Sequence, residues 1–388
     1  MSTQGGFGGF GGFGGFGGFG GFGGFGGFGG FGGSGGFGGF GGFGSPPDGS
    51  PVGLIQSRDG IVGTWRRPTT QTPELLLDTP GQIRLWEPWV RAATLDFELL
   101  TPLHFEADGG GYTLWQVVPK VAAPATTGID KIVSMVRPTD APPGKAAKTF
   151  WLDQLDLVAG WADLRPDRVE EIATQLVPPL AYWSSVLNLR PDRRRWTLEL
   201  ISAALRLANH VEMRFKHALA CRRPIELSPQ IQPMILTPGH GSLPSGHATE
   251  AFIVAYVLWK LVLAAEPGKS KEWLEQLMRQ ANRVAINRTV AGVHFPVDSA
   301  AGQLLGLTLG EMFVSRATAT QAVPTQFNGW HFDGPLFAGI DDFDWRLLFD
   351  APNDARKVAP FGTKIAAVTA TEAPMLWQLW QWALAEWK

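Results

Sequence analysis

Lys216-x6-Arg223-Pro224, then Pro244-Ser245-Gly246-His247, then Arg288-x5-His294-x3-Asp298: these three blocks carry the reading of the chain. Taken singly, each has a plain structural explanation. A Lys and an Arg near a helix end are usually solvated, a Ser-Gly-His turn leads into many helices, and a lone His is most often structural. Together they suit one tetrahedral oxyanion. The guanidiniums of Arg223 and Arg288 and the ammonium of Lys216 can neutralise a multiply charged anion through charge-assisted hydrogen bonds. Lys216 and Arg223 lie one heptad apart, on a shared helix face or at its end.

Ser245-Gly246-His247 precedes a predicted helix over Thr249–Ala265. Its backbone N–H groups are then orphan donors at the positive end of a helix dipole, with glycine permitting close approach and the Ser245 hydroxyl adding a donor. His294 and Asp298 are four apart, on one face if the helix opened by Pro296 starts early enough. Asp298 can accept from one imidazole nitrogen and leave the other free as nucleophile or ligand. His247 is then available as a general acid or base.

Outward from the blocks, the pattern is helical from Lys148 to Arg316. Phe150, Leu152, Leu155, Leu157, Val158 and Trp161 follow a three-to-four period. Arg168–Leu189 continues it, with Pro178-Pro179 forcing a break. Thr197–Ala220 is predicted as one long helix, with Leu200, Ile201, Ala204, Leu205, Ala208, Val211, Met213 and Phe215 on its apolar face. Trp273–Ile286 and Pro296–Arg316 are further helices, the last with proline in its first turn. Before this core, residues 51–146 are mixed: Ile61-Val62, Ile83–Trp89 and Tyr112–Val118 read as short extended segments, Gly109-Gly110-Gly111 as a turn and Ala141–Gly144 as a breaker. After it, residues 317–388 end in a Trp-rich helical stripe of Leu376, Leu379, Trp380, Ala383, Leu384 and Trp387. That stripe suits a docking helix, a dimer interface or a membrane-surface anchor, the last disfavoured by its scarcity of Lys and Arg.

The N-terminus is of another kind. Residues 5–43 are thirteen triplets, twelve Gly-Gly-Phe and one Gly-Gly-Ser, and residues 1–50 hold 28 of the 50 glycines. Two glycines in three make ordering costly, so residues 1–50 read as a disordered tail and linker, with evenly spaced Phe rings able to mediate self-association. The roughly 340 residues that remain are ample for one core. One cysteine, Cys221, excludes a disulfide framework and a multi-cysteine zinc site. A net charge of −2 argues against an obligate nucleic-acid binder. No leader is read at Met1-Ser2-Thr3-Gln4, and the apolar run Ala251–Ala265, broken by Lys260, reads as too short and too charged for a span of ~20 residues. A soluble, cytoplasmic protein with no membrane span is the expectation.

The three blocks resemble the superfamily of type 2 phosphatidic acid phosphatases, bacterial acid phosphatases and vanadium-dependent haloperoxidases. The intervals agree, with 19 residues between Pro224 and Pro244 and 40 between His247 and Arg288. One departure is Asn287, where the family usually has Ser before the Arg. The resemblance implies an all-α fold centred on a helical bundle, and two chemistries in one cradle of Lys216, Arg223, Ser245, Gly246 and Arg288. In the phosphatases the match of His294 attacks phosphorus and the match of His247 protonates the leaving alcohol of a phosphomonoester, with no cofactor. In the haloperoxidases the match of His294 ligates vanadate, and peroxide and halide are the substrates. The length before Lys216 and His240, whose position in the bromoperoxidase branch lies beside the vanadate, favour the second chemistry, with bromide as the halide. A self-assembling scaffold with a vestigial anion site is the reading from another class, against which the complete set of charged and histidine residues speaks.

Overall fold

The computed structural model describes residues 51–70, 74–118, 128–139, 149–176, 179–269 and 271–388; the Gly-Gly-Phe tail and the Ala141–Gly144 breaker lie outside them. Helices α1 (Pro51–Ile61) and α2 (Pro88–Leu100) are followed by strands β1 (Leu103–Asp108), β2 (Gly111–Val118) and β3 (Gly128–Val136). The helical segment then runs α3 (Phe150–Trp161), α4 (Arg165–Thr174), α5 (Leu180–Leu187), α6 (Arg195–Leu219), α7 (Pro224–Leu227), α8 (Gly246–Ala265), α9 (Lys271–Val290) and α10 (Pro296–Thr318). Strands β4 (Gln326–Asp333), β5 (Phe349–Asp350), β6 (Ala355–Arg356) and β7 (Gly362–Thr369) and helix α11 (Pro374–Ala385) complete the chain.

The all-α expectation is therefore corrected. A five-stranded mixed sheet, in the order β1-β2-β3-β4-β7, lies beside the helices, with a two-stranded β5-β6 ribbon apart from it. Pairing is antiparallel except between β3 and β4, where Val133 faces Trp330 in parallel register. The sheet joins strands from both sides of the helical segment, so its central pairing is between residues about 200 apart in sequence, beyond the reach of local pattern. Of the three extended segments read from sequence, Tyr112–Val118 lies in β2. Ile61 ends α1, and Ile83–Trp89 spans a 3-10 turn and the start of α2. There a proline in each first turn, Pro80 and Pro88, favours helical geometry over a strand.

The core is built on α8 and α10. On α8 fifteen of twenty residues are buried, which is why its sequence is apolar all round rather than amphipathic. It is the one helix among the described residues long and apolar enough to cross a membrane, with mean hydropathy 1.7; 72% of that apolar window is buried inside the protein. The run read as too short for a span is thus part of a longer helix that covers itself with α6, α9, α10 and α11.

Gly302, Gly306 and Gly310 on α10 decide how close that pair comes. A Cβ at Gly302 would lie 2.6 Å from the Ser245 carbonyl oxygen, one at Gly306 would fall on the Thr249 carbonyl, and one at Gly310 would meet the Tyr256 ring at 3.1 Å. The contacts advance along both helices together, so α8 and α10 run parallel and their N-termini lie side by side. Helix α6 is held at its own start by Glu386, whose carboxylate accepts from the Trp196 and Thr197 amides at 2.8 and 2.9 Å. Glu98 does the same for α11 at Met375 and Leu376. The stripe of Leu376, Leu379, Trp380 and Ala383 is buried within the same chain.

Glycine to alanine in a helix ordinarily stabilises by up to ~1 kcal/mol. Gly160→Ala on α3, where a Cβ meets nothing within 4 Å, should follow that rule. Gly306→Ala should reverse the sign and cost about 1–3 kcal/mol or more through overpacking. Thermal or urea unfolding of the two variants side by side checks this; equal midpoints would refute the close-packed pair.

Candidate active site

The parallel pair brings two helix starts to one place. Ser245 is the N-cap of α8, its Oγ accepting from the Ala248 amide at 3.4 Å. Phe295 is the N-cap of α10, and the Ser245 amide donates to the Asp298 carbonyl at 2.8 Å, tying the two ends together. The Gly246 and His247 amides point out of the first turn of α8 and find no acceptor among the described residues.

His294 sits just before α10, so it meets Asp298 across the helix start and not along a helix face as the spacing suggested. Its Nδ1 donates to Asp298 Oδ2 at 2.9 Å. The same oxygen accepts the Phe295 amide at 3.0 Å, so Asp298 both caps the helix and orients the ring. The other nitrogen, Nε2, accepts from Arg223 Nη1 at 2.9 Å, since a guanidinium can only donate. His294 is therefore the Nδ1–H tautomer with its lone pair on Nε2. Burial, reinforced by Arg223 and Lys216, holds its pKa well below the usual imidazole value, so the ring is neutral. Burial pushes Asp298 up to about 6, opposed by the Phe295 amide and by Arg223, which leaves it ionised at neutral pH.

The cations come from three separate elements. Lys216 is in the last turn of α6, which ends at Leu219, and Arg223 lies beyond that end as the N-cap of α7. Lys216 Nζ donates to the Ser242 and Pro244 carbonyls at 3.2 and 2.5 Å. Arg223 also donates to the carbonyls of His240 at 3.0 Å and Val293 at 2.8 Å. Arg288, near the end of α9, donates through Nη2 to Gln175 Oε1 at 2.8 Å, and its Nε has no partner among the described residues. Burial brings both Arg223 and Arg288 down to about 10, still protonated at neutral pH. The turn from Arg288 to His294 passes through Gly292 at φ 81°, left-handed backbone that favours glycine. Arg165 fastens this turn, donating to Val290, Gln232 and Ile231.

His247 faces the opposite wall. Its Nε2 donates to the Gln175 carbonyl at 3.2 Å; the approach of Arg288 Nη1 at 3.5 Å joins two donors and is a contact rather than a bond. Burial first, then Arg288, holds His247 well below the usual imidazole value. His240 is placed beside the cradle: its Nδ1 lies 3.1 Å from Arg223 Nη2 and 3.2 Å from the Gly241 carbonyl, and its buried Nε2 has no partner among the described residues. Burial, helped by Lys216 and Arg223, brings His240 down to about 4.

All nine candidate residues thus converge: Lys216, Arg223, His240, Ser245, Gly246, His247, Arg288, His294 and Asp298. Three others escaped sequence reasoning. Gln175, wholly buried at the end of α4, accepts from Arg288 and, at 3.0 Å, from Asn287, and its carbonyl meets His247. Ser242, whose hydroxyl donates to the Arg222 carbonyl at 2.8 Å, lies 3.4 Å from Asp298 Oδ1. Glu212, one turn before Lys216, is wholly buried with neither carboxylate oxygen bonded. Asn287, the departure from the family pattern, accepts from Arg168 at 2.8 Å and so links α4 to the cradle. Cys221 is buried and its thiol pushed up to about 12, so it is inert.

Residues 161–320 match the model of the PAP2 superfamily, a span that contains all three motifs. No curated protein matches the chain. Among solved structures, the first bacterial vanadium-dependent iodoperoxidase is similar at 20% identity and TM-score 0.32, over 45% of this chain and 50% of that one. The first transmembrane PAP2-type phosphatidylglycerolphosphate phosphatase, from Bacillus subtilis, is similar at 22% identity and TM-score 0.27, over 41% of this chain and 73% of that one. The chain therefore spans half the length of the iodoperoxidase. The resemblance read from the motifs is borne out over the matched segment.

The His294 tautomer is open to direct test. Nitrogen-15 NMR of the ring should report the proton on Nδ1 in the native chain. In Asp298→Asn, whose amide can donate, that preference should weaken or reverse. A native ring protonated on Nε2 would contradict the arrangement.

Proposed function

From the premise that residues 161–320 form a PAP2-superfamily core, we propose that the chain is an enzyme that fixes a tetrahedral oxyanion against His294. The observation that carries this is a set of unbonded donors in the cradle, the Gly246 and His247 amides and Arg288 Nε, together with a neutral His294 that keeps its lone pair on Nε2. Donors left without acceptors in a buried site favour a ligand made of acceptors. Arg223 Nη1 now holds the His294 lone pair, and in the proposed complex it turns to an anion oxygen and frees that lone pair for the central atom.

The preferred reading is vanadate-dependent oxidation of halide by hydrogen peroxide, with bromide favoured. The donor set fits vanadate as well as phosphate, because both are tetrahedral and multiply charged. Lys216, Arg223, Ser245, Gly246 and Arg288 would hold its oxygens and His294 its metal; when bound, vanadate supplies Lewis-acid activation of peroxide. His240 gives this reading its support over the alternative. Its neutral ring, with Nε2 unpartnered, adds an imidazole beside Arg223, where binding of the anion alone needs no further group. Asp298 keeps His294 in the ligating tautomer, and His247 moves the proton on the far side.

The second reading is hydrolysis of phosphomonoesters, favoured by the proton that the Gln175 carbonyl fixes on His247 Nε2. There His294 Nε2 attacks phosphorus, His247 protonates the departing alkoxide, and water then cleaves the phosphohistidine with His247 as base. In the bare cradle His247 is neutral. A bound dianion offsets the Arg288 field, so the proton that His247 must donate arrives with the substrate.

The deciding assay compares bromide-dependent bromination with peroxide, with and without orthovanadate, against hydrolysis of a generic phosphomonoester. Vanadate-dependent bromination is the expected result, and hydrolysis alone would select the second reading. His294→Ala should abolish either activity. His247→Ala should keep anion affinity and lose about 10²–10⁴-fold in turnover. Loss of roughly 1.5–3 kcal/mol of anion affinity is expected for Arg223→Ala or Arg288→Ala. Unchanged vanadate and phosphate affinity in both, by calorimetry, would sink the cradle.

A further inference from the structure

Glu212 is a buried ionisable group beside the cradle for which the reaction above has no use. It lies on the inward face of α6, fully covered, where the helical period calls for an apolar side chain. Neither carboxylate oxygen has a hydrogen-bond partner among the described residues. A carboxylate in that condition is strongly disfavoured as an ion. Its position is specific: a Cβ at Gly246 would lie 2.6 Å from Glu212 Oε1, and the three nearest atoms are all of Glu212. The carboxyl group therefore rests against the residue whose amide opens the anion cradle, and only glycine leaves it room.

The charged and titratable groups around it are Lys216 on its own helix, Arg223 ahead of α7, His247 and Glu250 on α8, and His294 and Asp298 at the start of α10. Lys216 does not bond Glu212, because its ammonium is directed to the Ser242 and Pro244 carbonyls. Three carboxyl groups, Glu212, Glu250 and Asp298, thus lie near the three cations of the cradle. Asp298 is held as an ion by two donors, the Phe295 amide and His294 Nδ1–H. Glu212 has none, so a dianion entering the cradle would meet an unscreened like charge if Glu212 were ionised.

We propose that Glu212 is the proton-holding residue of the cradle: its carboxyl carries a proton whenever a tetrahedral dianion sits on the Gly246 amide, so that anion and proton enter and leave the site together. The inference rests on the oxyanion reading above. Burial raises the Glu212 pKa against the pull of Lys216 and Arg223, the direction the proposal needs; it also lowers that of Lys216, which makes Lys216 the rival site for the proton. The balance is simple. On binding above the Glu212 titration, the ionised carboxylate takes one proton from solvent as the dianion arrives, and returns it when the dianion leaves.

Sulfate is the probe, because it stays a dianion throughout the range and brings no proton of its own. Its affinity for the full chain is measured by calorimetry from about pH 6 to about pH 10, in paired buffers of different ionisation heat. In the native chain affinity should fall toward about tenfold per pH unit on the alkaline side, with uptake of up to one proton per sulfate. Glu212→Gln should match the native affinity near pH 6 and lose at least about tenfold less by the alkaline end, with correspondingly less proton uptake. Glu212→Met serves the same purpose if the amide perturbs folding, and thermal melts establish that each variant is folded. Variant profiles that overlay the native one would assign the pH dependence to Lys216 and overturn the proposal. Sulfate binding by the native chain with no proton uptake near pH 8 would overturn it without any variant. Failure of the native chain to bind sulfate at any pH would instead reject the oxyanion site itself.

Discussion

The close parallel approach of α8 and α10 is the constraint on which the site depends. Gly302, Gly306 and Gly310 remove the side chains that would hold the two backbones apart. Each glycine in a helix interior costs roughly 0.5–1 kcal/mol relative to alanine, so three in register are retained only because the close pair returns more through packing. The return is also geometric. Two parallel helices aligned from their first turns place two positive dipole ends together, and the Ser245 amide bonded to the Asp298 carbonyl fixes their relative height. His294 and the Gly246 amide converge because the helices do, with no contribution from a long loop.

Burying Lys216, Arg223 and Arg288 in such a place is unfavourable on its own. The fold offsets this with backbone carbonyls more than with counter-charges. Lys216 has two carbonyl partners, and Arg223 is bonded to the carbonyls of His240, Gly241 and Val293. Carbonyl dipoles hold the cations in place without neutralising them, so the cradle keeps a net positive field that an oxyanion can satisfy. Had each cation been paired with a carboxylate, the same burial would have produced a structural ion-pair cluster with no affinity for a ligand.

What could be read from the chain divides along physical lines. The nine site residues were legible because chemistry demands particular side chains at particular spacings, and those spacings survive in one dimension. The helices were legible from the apolar period in α6 and from the first-turn proline in α10. The sheet was not: β3 and β4 pair across the whole helical segment, and the short alternation of each strand carries no mark of its partner. Gln175 and Ser242 also left no trace, because a polar residue that completes another residue's hydrogen bonds need only be nearby in space. Glu212 left a trace that pointed elsewhere. The apolar stripe of α6 was drawn through Met213, which is only half-buried, although the inward position belongs to its charged neighbour.

The two histidines show how one electrostatic environment can support opposite requirements. Both are buried among cations, and both are neutral for that reason. His294 needs a lone pair facing the ligand, and Asp298 secures it by taking the Nδ1 proton in a hydrogen bond. His247 needs a proton to give, and its acceptor is the weaker Gln175 carbonyl, which fixes the proton's position without stabilising a positive ring as a carboxylate would. The charge on His247 must therefore be induced by the ligand and disappear with it. That asymmetry, a carboxylate behind one ring and a peptide carbonyl beside the other, distinguishes the residue that bonds the central atom from the residue that moves the proton. It is set by the starts of α8 and α10 and the end of α4, elements that the glycine-packed pair and the Asn287–Gln175 bond hold in register.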